Sequence, residues 1–386
     1  MDKVRFGIIG IGKMGSLHCL RFTHGLIKNG TLTAVCDISP ERKEWAEKNL
    51  KAKGVKFFDD YKALIDSGKV DAVLVATPHY DHPVIATYAL SKGLHTLIEK
   101  PAGVYTKAIR ELNEYAATKP ELTFGIMYNQ RTNKLYRFAK ELVETGRLGE
   151  MKRINWIITN WYRPQAYYNQ GGWRGTWAGE GGGVLINQCP HQLDLFQWLG
   201  GMPSMIRGYA KVGRNRDINV ENDVTAYMEY PNGATGVFIT STHDFPGTNR
   251  LEIDGDKGKI VIENNKLVFT ELEVAESVFN ATNKKFMPSI PSHKTVKRMS
   301  KVGELMMNVF GQHTGIINNF TNHIVNGEPL IAPGADGIRG LTISNAIHLS
   351  SWTGEAVELP IDEDKFIAEL EKRKAEEKES SKKKVQ

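Results

Sequence analysis

No stretch of this chain approaches the roughly 20 consecutive apolar residues that a membrane-spanning helix requires, so no membrane partner is expected. Cysteine is scarce: Cys19, Cys36 and Cys189 are the three in 386 residues. They are too few and too scattered for a disulfide framework, which fits a reducing cytoplasm. The histidines are dispersed as well, and no spacing matches a zinc or iron set, so no metal is expected. A basic leader is missing. The apolar run Val4–Ile9 passes straight into a glycine loop and reads as a first strand, not a signal segment.

Charge of one sign is also thinner than it looks. The formal net charge is +6, but residues 371–386 hold seven Lys or Arg against four Glu, half of that excess. This segment is polar and low in complexity, and is expected to be a frayed charged end. The rest is close to neutral, which removes the ground for a nucleic-acid partner.

What is present is a globular composition, 41% hydrophobic and 24% charged, with no internal repeat. A chain of 386 residues exceeds the size at which one core stops growing, so two domains are expected. Up to residue 127, short apolar runs (Val4–Ile9, Leu32–Cys36, Ala72–Ala76, Leu94–Ile98, Leu122–Met127) alternate with helical segments (Met14–Ile27, Glu41–Leu50, Pro83–Leu90, Lys107–Ala117). That alternation predicts βαβ units on a doubly wound parallel sheet. Beyond a helix at Asn133–Glu144 the pattern changes to longer alternating strands: Lys152–Trp161, Ile206–Val212, Val224–Tyr230, Thr235–Ser241, Arg250–Ile253 and Lys259–Glu263. Tight-turn signals such as Pro231-Asn232-Gly233 separate several of them, which predicts a mostly antiparallel sheet. Helices are expected at Gly183–Leu199, His313–Val325 and Ala335–Ser351, and an irregular insertion at 271–312. The fold class is therefore α/β followed by α+β. Its divisions are 1–127 for a dinucleotide-binding domain, 128–361 for a substrate domain, and 362–386 for the tail.

Gly10-Ile11-Gly12-Lys13-Met14-Gly15 follows the first strand and opens a helix. In that setting Gly10 permits the tight turn, Gly12 lets a pyrophosphate approach the backbone, and Gly15 lets helix and strand pack closely. The amides of the helix N-terminus then favour phosphate charge. Asp37 ends the second strand 22 residues after Gly15, where an acid accepts both ribose hydroxyls and repels a 2′-phosphate. NAD is therefore expected, although Arg42 and Lys43 lie near enough to soften the choice. Capping the helix that starts at Pro40 is the alternative role for Asp37.

Asn187, His191 and Asp194 recur at i, i+4 and i+7 in an otherwise apolar segment, so they are expected on one helical face. Polar groups there are costly to bury without purpose. Either the histidine is a satisfied core residue paired with Asp194, or this face is a site. The stretch Asn160 to Trp177 is dense in aromatics, with Tyr162, Arg163, Trp173 and Trp177 as candidate sugar contacts, or as core and interface packing. Asn129 and Arg131 open the second domain and are expected to reach toward substrate, with His243 and His313 as weaker candidates. His79, His82 and His95 are expected to cap or pack, and His79 and His82 also to touch the cofactor.

Glu99-Lys100-Pro101 after a parallel strand, Ala76-Thr77-Pro78 after another, and Gly181-Gly182-Gly183 before Asn187-Gln188-Cys189-Pro190-His191 carry a resemblance. With the glycine loop and Asp37, they resemble the glucose–fructose oxidoreductase/inositol dehydrogenase (Gfo/Idh/MocA) family from Lys3 to about Pro360. The resemblance implies a Rossmann domain and a C-terminal domain whose large open sheet packs against another subunit, as a homodimer or homotetramer. It makes Lys100 the active-site lysine, with Pro101 often following a cis bond, and His191 the acid/base. Thr77, Pro78 and Glu99 join the cofactor contacts. One departure stands out: in the inositol dehydrogenase branch the residue four before this histidine is an aspartate, and here it is Asn187. The function implied is NAD-dependent oxidation of a hydroxyl on a sugar, glycoside or related polyol, with C3 of a glycoside one target. Redox-neutral glycoside cleavage with transiently used NAD, and non-catalytic NAD(H) sensing, are the alternatives.

Overall fold

The computed structural model describes residues 3–385; Gln386, counted above with the tail, lies outside them. The chain forms two compact units, Met1–Thr132 with Met306–Leu341, and Asn133–Leu305 with Thr342–Gln386. The second of these pieces differs from the expected linear division, because Met306–Leu341 returns to the first unit.

The first unit is built on six parallel strands: β1 (Val4–Ile9), β2 (Gly30–Cys36), β3 (Lys56–Phe58), β4 (Ala72–Val75), β5 (His95–Ile98) and β6 (Phe124–Ile126), in the order β3-β2-β1-β4-β5-β6. Strands covered on both faces carry little but apolar residues, and all four of β4 are fully buried. β3 escapes the sequence pattern because it is a three-residue edge strand starting with a lysine. Chain order reverses on either side of β1, so the C-terminal ends of β1 and β4 frame the crevice where open α/β sheets take ligands. The returning segment contributes the helix Gln312–Asn326, whose Phe320 packs 6.2 Å from the Phe6 ring. Asn318 fastens it further, accepting Lys28 N–H at 2.7 Å.

The second unit carries a nine-stranded sheet: β7 (Met151–Ile158), β8 (Met205–Val212), β9 (Glu221–Glu229), β10 (Thr235–Ser241), β11 (Asn249–Gly255), β12 (Gly258–Glu263), β13 (Lys266–Leu272), β14 (Ser292–Arg298) and β15 (Val357–Glu358). Their order is β14-β13-β12-β11-β7-β10-β9-β8-β15, with β7 and β10 parallel and the other described pairs antiparallel. One face is core: Ile154, Trp156 and Ile158 of β7 and Val224, Ala226 and Met228 of β9 are fully buried, with Arg153, Asn155, Thr225 and Tyr227 turned the other way. The helix Pro190–Gly200 covers this core, setting Phe196 edge-on to Phe238.

Three expectations change here. The segment 271–312 is not irregular: it holds the helices Glu276–Thr282 and Lys301–Phe310 and the edge strand β14, whose Ser-His-Lys-Thr-Val-Lys-Arg sequence has no apolar alternation because it pairs on one side only. The expected helix Gly183–Leu199 begins only at Pro190, since a proline tolerates the first turn of a helix and residues 183–189 are held in turns against β9. Asn187 therefore precedes the helix and does not share its face with His191 and Asp194. The tail is a docked helix, Glu363–Val385, not a frayed end. Phe366, Leu370 and Glu377 of it are buried and Arg373 lies 5.5 Å over the Trp352 ring, a one-face spacing that its charge content obscures.

Candidate active site

In the first unit the glycine loop has the geometry its spacing implies. Gly10 has φ +83, and a Cβ there would meet the Ala76 carbonyl oxygen at 2.7 Å. A Cβ on Gly15 would lie 1.9 Å from the Gly10 carbonyl oxygen, so helix and strand touch through backbone alone. At Gly12 a Cβ would meet nothing within 4 Å. Gly12 also caps the helix Lys13–Thr23 with no side-chain cap and no acid in its first turn, which leaves its amides available to an anion.

Asp37 faces this loop. Its Oδ2 accepts the Ile11 N–H at 2.8 Å and its Oδ1 accepts the Ser39 N–H at 2.9 Å. Ser39, not Asp37, caps the helix starting at Pro40. Ile38, 90% exposed beside Asp37, adds an apolar surface that the sequence reading passed over. Across the crevice the Thr77 hydroxyl is buried without a partner. An open glycine N-terminus, a strand-ending acid and an orphaned hydroxyl fit a dinucleotide.

Lys100 is half-buried just beyond β5, and its peptide bond to Pro101 is cis. Beneath it Glu99 turns inward: Oε2 accepts the Lys100 N–H at 3.1 Å and Oε1 lies 2.7 Å from His18 Nε2. Burial opposes ionisation of Glu99, but the His18 hydrogen bond and the charges of His18, His313 and Lys100 outweigh it and hold the carboxyl well below its usual range. His313 completes the cluster, its ring centroid 5.6 Å from that of His18, with Asn129 Nδ2 3.1 Å from its Nε2. Burial pushes the His313 pKa down to about 4. His18 was missed in the sequence; its signal was position, one turn after Gly15 on the same helix face.

Three first-unit candidates have structural employment. His82 is 1% exposed, with Nδ1 2.8 Å from the Pro101 carbonyl and Nε2 2.8 Å from that of Thr77. Its ring braces the turns after β4 and β5, one nitrogen donating to a backbone carbonyl. His79 is buried with its ring 6.1 Å from that of His82. Arg131 is 2% exposed and donates to Ile331 O and, at 2.7 Å, to Asp336 Oδ2. It belongs with Asn129 to the first unit, as a staple of the returning segment and not as an arm of the substrate domain.

In the second unit, residues 180–199 are buried almost without a break, and the half-open positions among them are Asn187, His191 and Trp198. Three buried carboxylates fasten the backbone leading to them. Glu221 accepts the N–H groups of Gly183 and Leu185, and lies 3.0 Å from His348. Glu377 of the C-terminal helix accepts those of Trp177 and Ala178, both at 3.0 Å. Glu180 accepts the Gly175 N–H at 2.8 Å and the side-chain amide of Asn187. Gly183 is required because a Cβ there would fall 1.9 Å from the Glu221 carbonyl oxygen. Asp194, buried, accepts from Gln197 at 3.0 Å. None of the three glutamates was singled out in the sequence, where Glu180 lies in a glycine run, Glu221 in a polar run and Glu377 in the charged tail.

The aromatic stretch divides. Trp177 is 3% exposed, edge-on to His348 and Trp352, and so is core, not a sugar platform. Tyr162 and Trp173 stay accessible, Tyr162 beneath Arg216 and Trp173 beneath Arg174, whose guanidinium is 4.6 Å from the ring. Arg163 lies over the Trp161 and Tyr167 rings. His243 is flanked by Asp223 and Asp244 at 3.3 and 3.4 Å.

A Rossmann sheet with this loop, followed by a large mostly antiparallel sheet, defines a two-domain dehydrogenase that binds NAD. Residues 4–125 match the oxidoreductase family model with an NAD-binding Rossmann fold, and residues 136–261 match the GFO/IDH/MocA C-terminal domain. The chain belongs to the GFO/IDH/MocA family of oxidoreductases. It is 25% identical over 403 aligned positions to levoglucosan dehydrogenase from Pseudarthrobacter phenanthrenivorans, covering 93% of this chain and 99% of that protein. With inositol 2-dehydrogenase from Leifsonia xyli it is 28% identical over 202 residues, spanning about half the length of each (52% and 54%). The crystal structure of the WlbA dehydrogenase from Bordetella pertussis, in complex with NADH and UDP-GlcNAcA, superposes with a TM-score of 0.74 at 25% identity, over 93% of this chain and all of that one. This is a family of sugar and polyol dehydrogenases.

Proposed function

We propose that this protein oxidises a secondary hydroxyl of a sugar, glycoside or cyclic polyol, the C3 hydroxyl of a glycoside being one target. Bound NAD supplies the hydride acceptor. Lys100 and His191 hold and move the hydroxyl proton, and Asn187 accepts a substrate hydrogen bond. The observation that carries this reading is the contrast in the Glu180–Leu199 segment. Asn187 and His191 stay half-open while nearly everything around them is buried and the backbone ahead of them is pinned by carboxylates. Rigid support under two accessible polar groups is the arrangement that orientation of a substrate demands. Relatives named for levoglucosan and inositol support the same class of substrate. The exposed outward residues Tyr209, Tyr227 and Ile157 of the nine-stranded sheet fit a face that packs on a second copy of the chain.

The test is a panel of levoglucosan, myo-inositol, methyl glucosides and free hexoses with NAD, followed by NADH absorbance. Steady NADH formation with at least one of them is the expected result. Bond cleavage without net NADH would replace the reading by redox-neutral chemistry. No reaction with any would remove the substrate class.

A further inference from the structure

Glu180 differs from the other two pinning carboxylates, because it holds a side chain of the site and not backbone alone. It is 2% exposed. Its Oε2 accepts the Gly175 N–H at 2.8 Å, Arg174 Nη1 lies 3.5 Å from its Oε1, and that Oε1 takes the Nδ2–H of Asn187. Burial pushes the Glu180 carboxyl up from its usual range, and the Gly175 N–H, the Asn187 amide and Arg174 act against that. A buried acid so placed is costly to keep, and a glutamine would accept the Gly175 N–H at lower desolvation cost. What a carboxylate does and a glutamine does not is accept only. Facing it, the Asn187 amide has one stable orientation, nitrogen toward Glu180 and oxygen away.

We propose that Glu180 is a positioning residue for substrate recognition, fixing Asn187 as a hydrogen-bond acceptor toward the substrate hydroxyl. The negative charge is thereby kept one side chain back from the substrate. The site presents a neutral acceptor that is nonetheless as strictly acceptor in character as a carboxylate would be. This rests on the proposed role of Asn187 in substrate contact. It goes beyond that role in naming what determines the polarity of the contact.

A double-mutant cycle tests it, with whichever of levoglucosan, myo-inositol and methyl β-glucoside the wild type turns over with the highest kcat/KM. Glu180→Gln offers Asn187 either an oxygen or an NH₂, so the amide is free to flip, and KM for the polyol is expected to rise about tenfold with a smaller change in kcat. Asn187→Ala removes the acceptor. If Glu180 acts through Asn187, the pair Glu180→Gln/Asn187→Ala is no worse than Asn187→Ala alone, within about twofold. The exchange Glu180→Gln with Asn187→Asp keeps one amide and one carboxylate, reverses the hydrogen bond and restores a pure acceptor at 187. Its KM is expected to return to within about threefold of wild type. Melting temperature and NAD affinity, measured in every variant, separate loss of fold from loss of positioning, and the exchange variant carries the test should Glu180→Gln fold poorly. The proposal is overturned by a Glu180→Gln enzyme with wild-type KM, by multiplicative losses in the double variant, or by an exchange variant as impaired as Glu180→Gln. An Asn187→Ala enzyme with wild-type kinetics would instead bring down the role of Asn187, and this proposal with it.

Discussion

Replacing Gly12 and Gly15 by alanine, one at a time, separates cofactor binding from folding within six residues of chain. At Gly12 the new methyl meets no protein atom within 4 Å, and φ is −59, outside the left-handed region that favours glycine. The folding cost is then limited to a poorer N-cap, about 1 kcal/mol or less. The same open space is where the pyrophosphate must approach the backbone. Intrusion of a methylene-sized group into a packed contact costs about 1–3 kcal/mol, which is about five- to 150-fold in NAD affinity. At Gly15 the methyl would sit 1.9 Å from the Gly10 carbonyl oxygen, a backbone atom with no rotamer to change. Relief requires the helix Lys13–Thr23 to move off β1, so the loss falls on stability itself, about 3 kcal/mol or more, with a melting temperature lowered by about 6–12 °C. Calorimetric titration with NAD and thermal melts of both variants check this. A Gly12→Ala protein that binds NAD as the wild type does would show that the phosphates do not lie over this loop. A Gly15→Ala protein with an unchanged melting temperature would refute the backbone contact.

Asp37→Ala should narrow a preference for NAD over NADP that is expected to be at least about tenfold, measured by titration with both; equal affinities in the wild type would end the role given to Asp37. His313 stays neutral in the folded protein down to about pH 4, whereas its unfolded counterpart binds a proton from about pH 6.5. The unfolded state therefore gains protons first, and stability should fall as pH drops through that window, by up to about 3 kcal/mol, most visibly in urea midpoints compared at about pH 7 and about pH 5. His313→Asn should flatten that slope, and an unchanged slope would refute the burial argument. Glu377→Ala strips two backbone N–H groups of their acceptor and should cost about 1–3 kcal/mol in urea unfolding, whereas a frayed tail would show no change.

The first unit was legible because its signals are local. Alternation of apolar runs and helices, three glycines with separate tasks and an acid at a strand end each depend on a few consecutive residues, and the structure returns the parallel sheet they imply. β3 and β14 were lost for the opposite reason, since edge strands need satisfy only one neighbour and carry no buried pattern. Long-range partners were not legible either. Arg131 read as a substrate arm until Asp336 and Ile331, some 200 residues on, proved to hold it. Asn187 read as the loss of a carboxylate, yet Glu180 supplies one seven residues earlier through a loop whose path no periodicity specifies. The tail misled through composition: its many charges concealed the spacing of Phe366, Leu370, Arg373 and Glu377.

The central claim is that Lys100 handles the proton of a hydroxyl whose hydride passes to NAD. NADH formation from the preferred polyol, measured for wild type and Lys100→Met alongside NAD affinity, tests it most directly. Loss of a positioned proton-transfer group predicts a kcat lower by about 10²–10⁴ with NAD affinity nearly unchanged. A Lys100→Met enzyme within about threefold of the wild-type kcat would contradict the account, because that effect is too small for a group on the reacting hydroxyl.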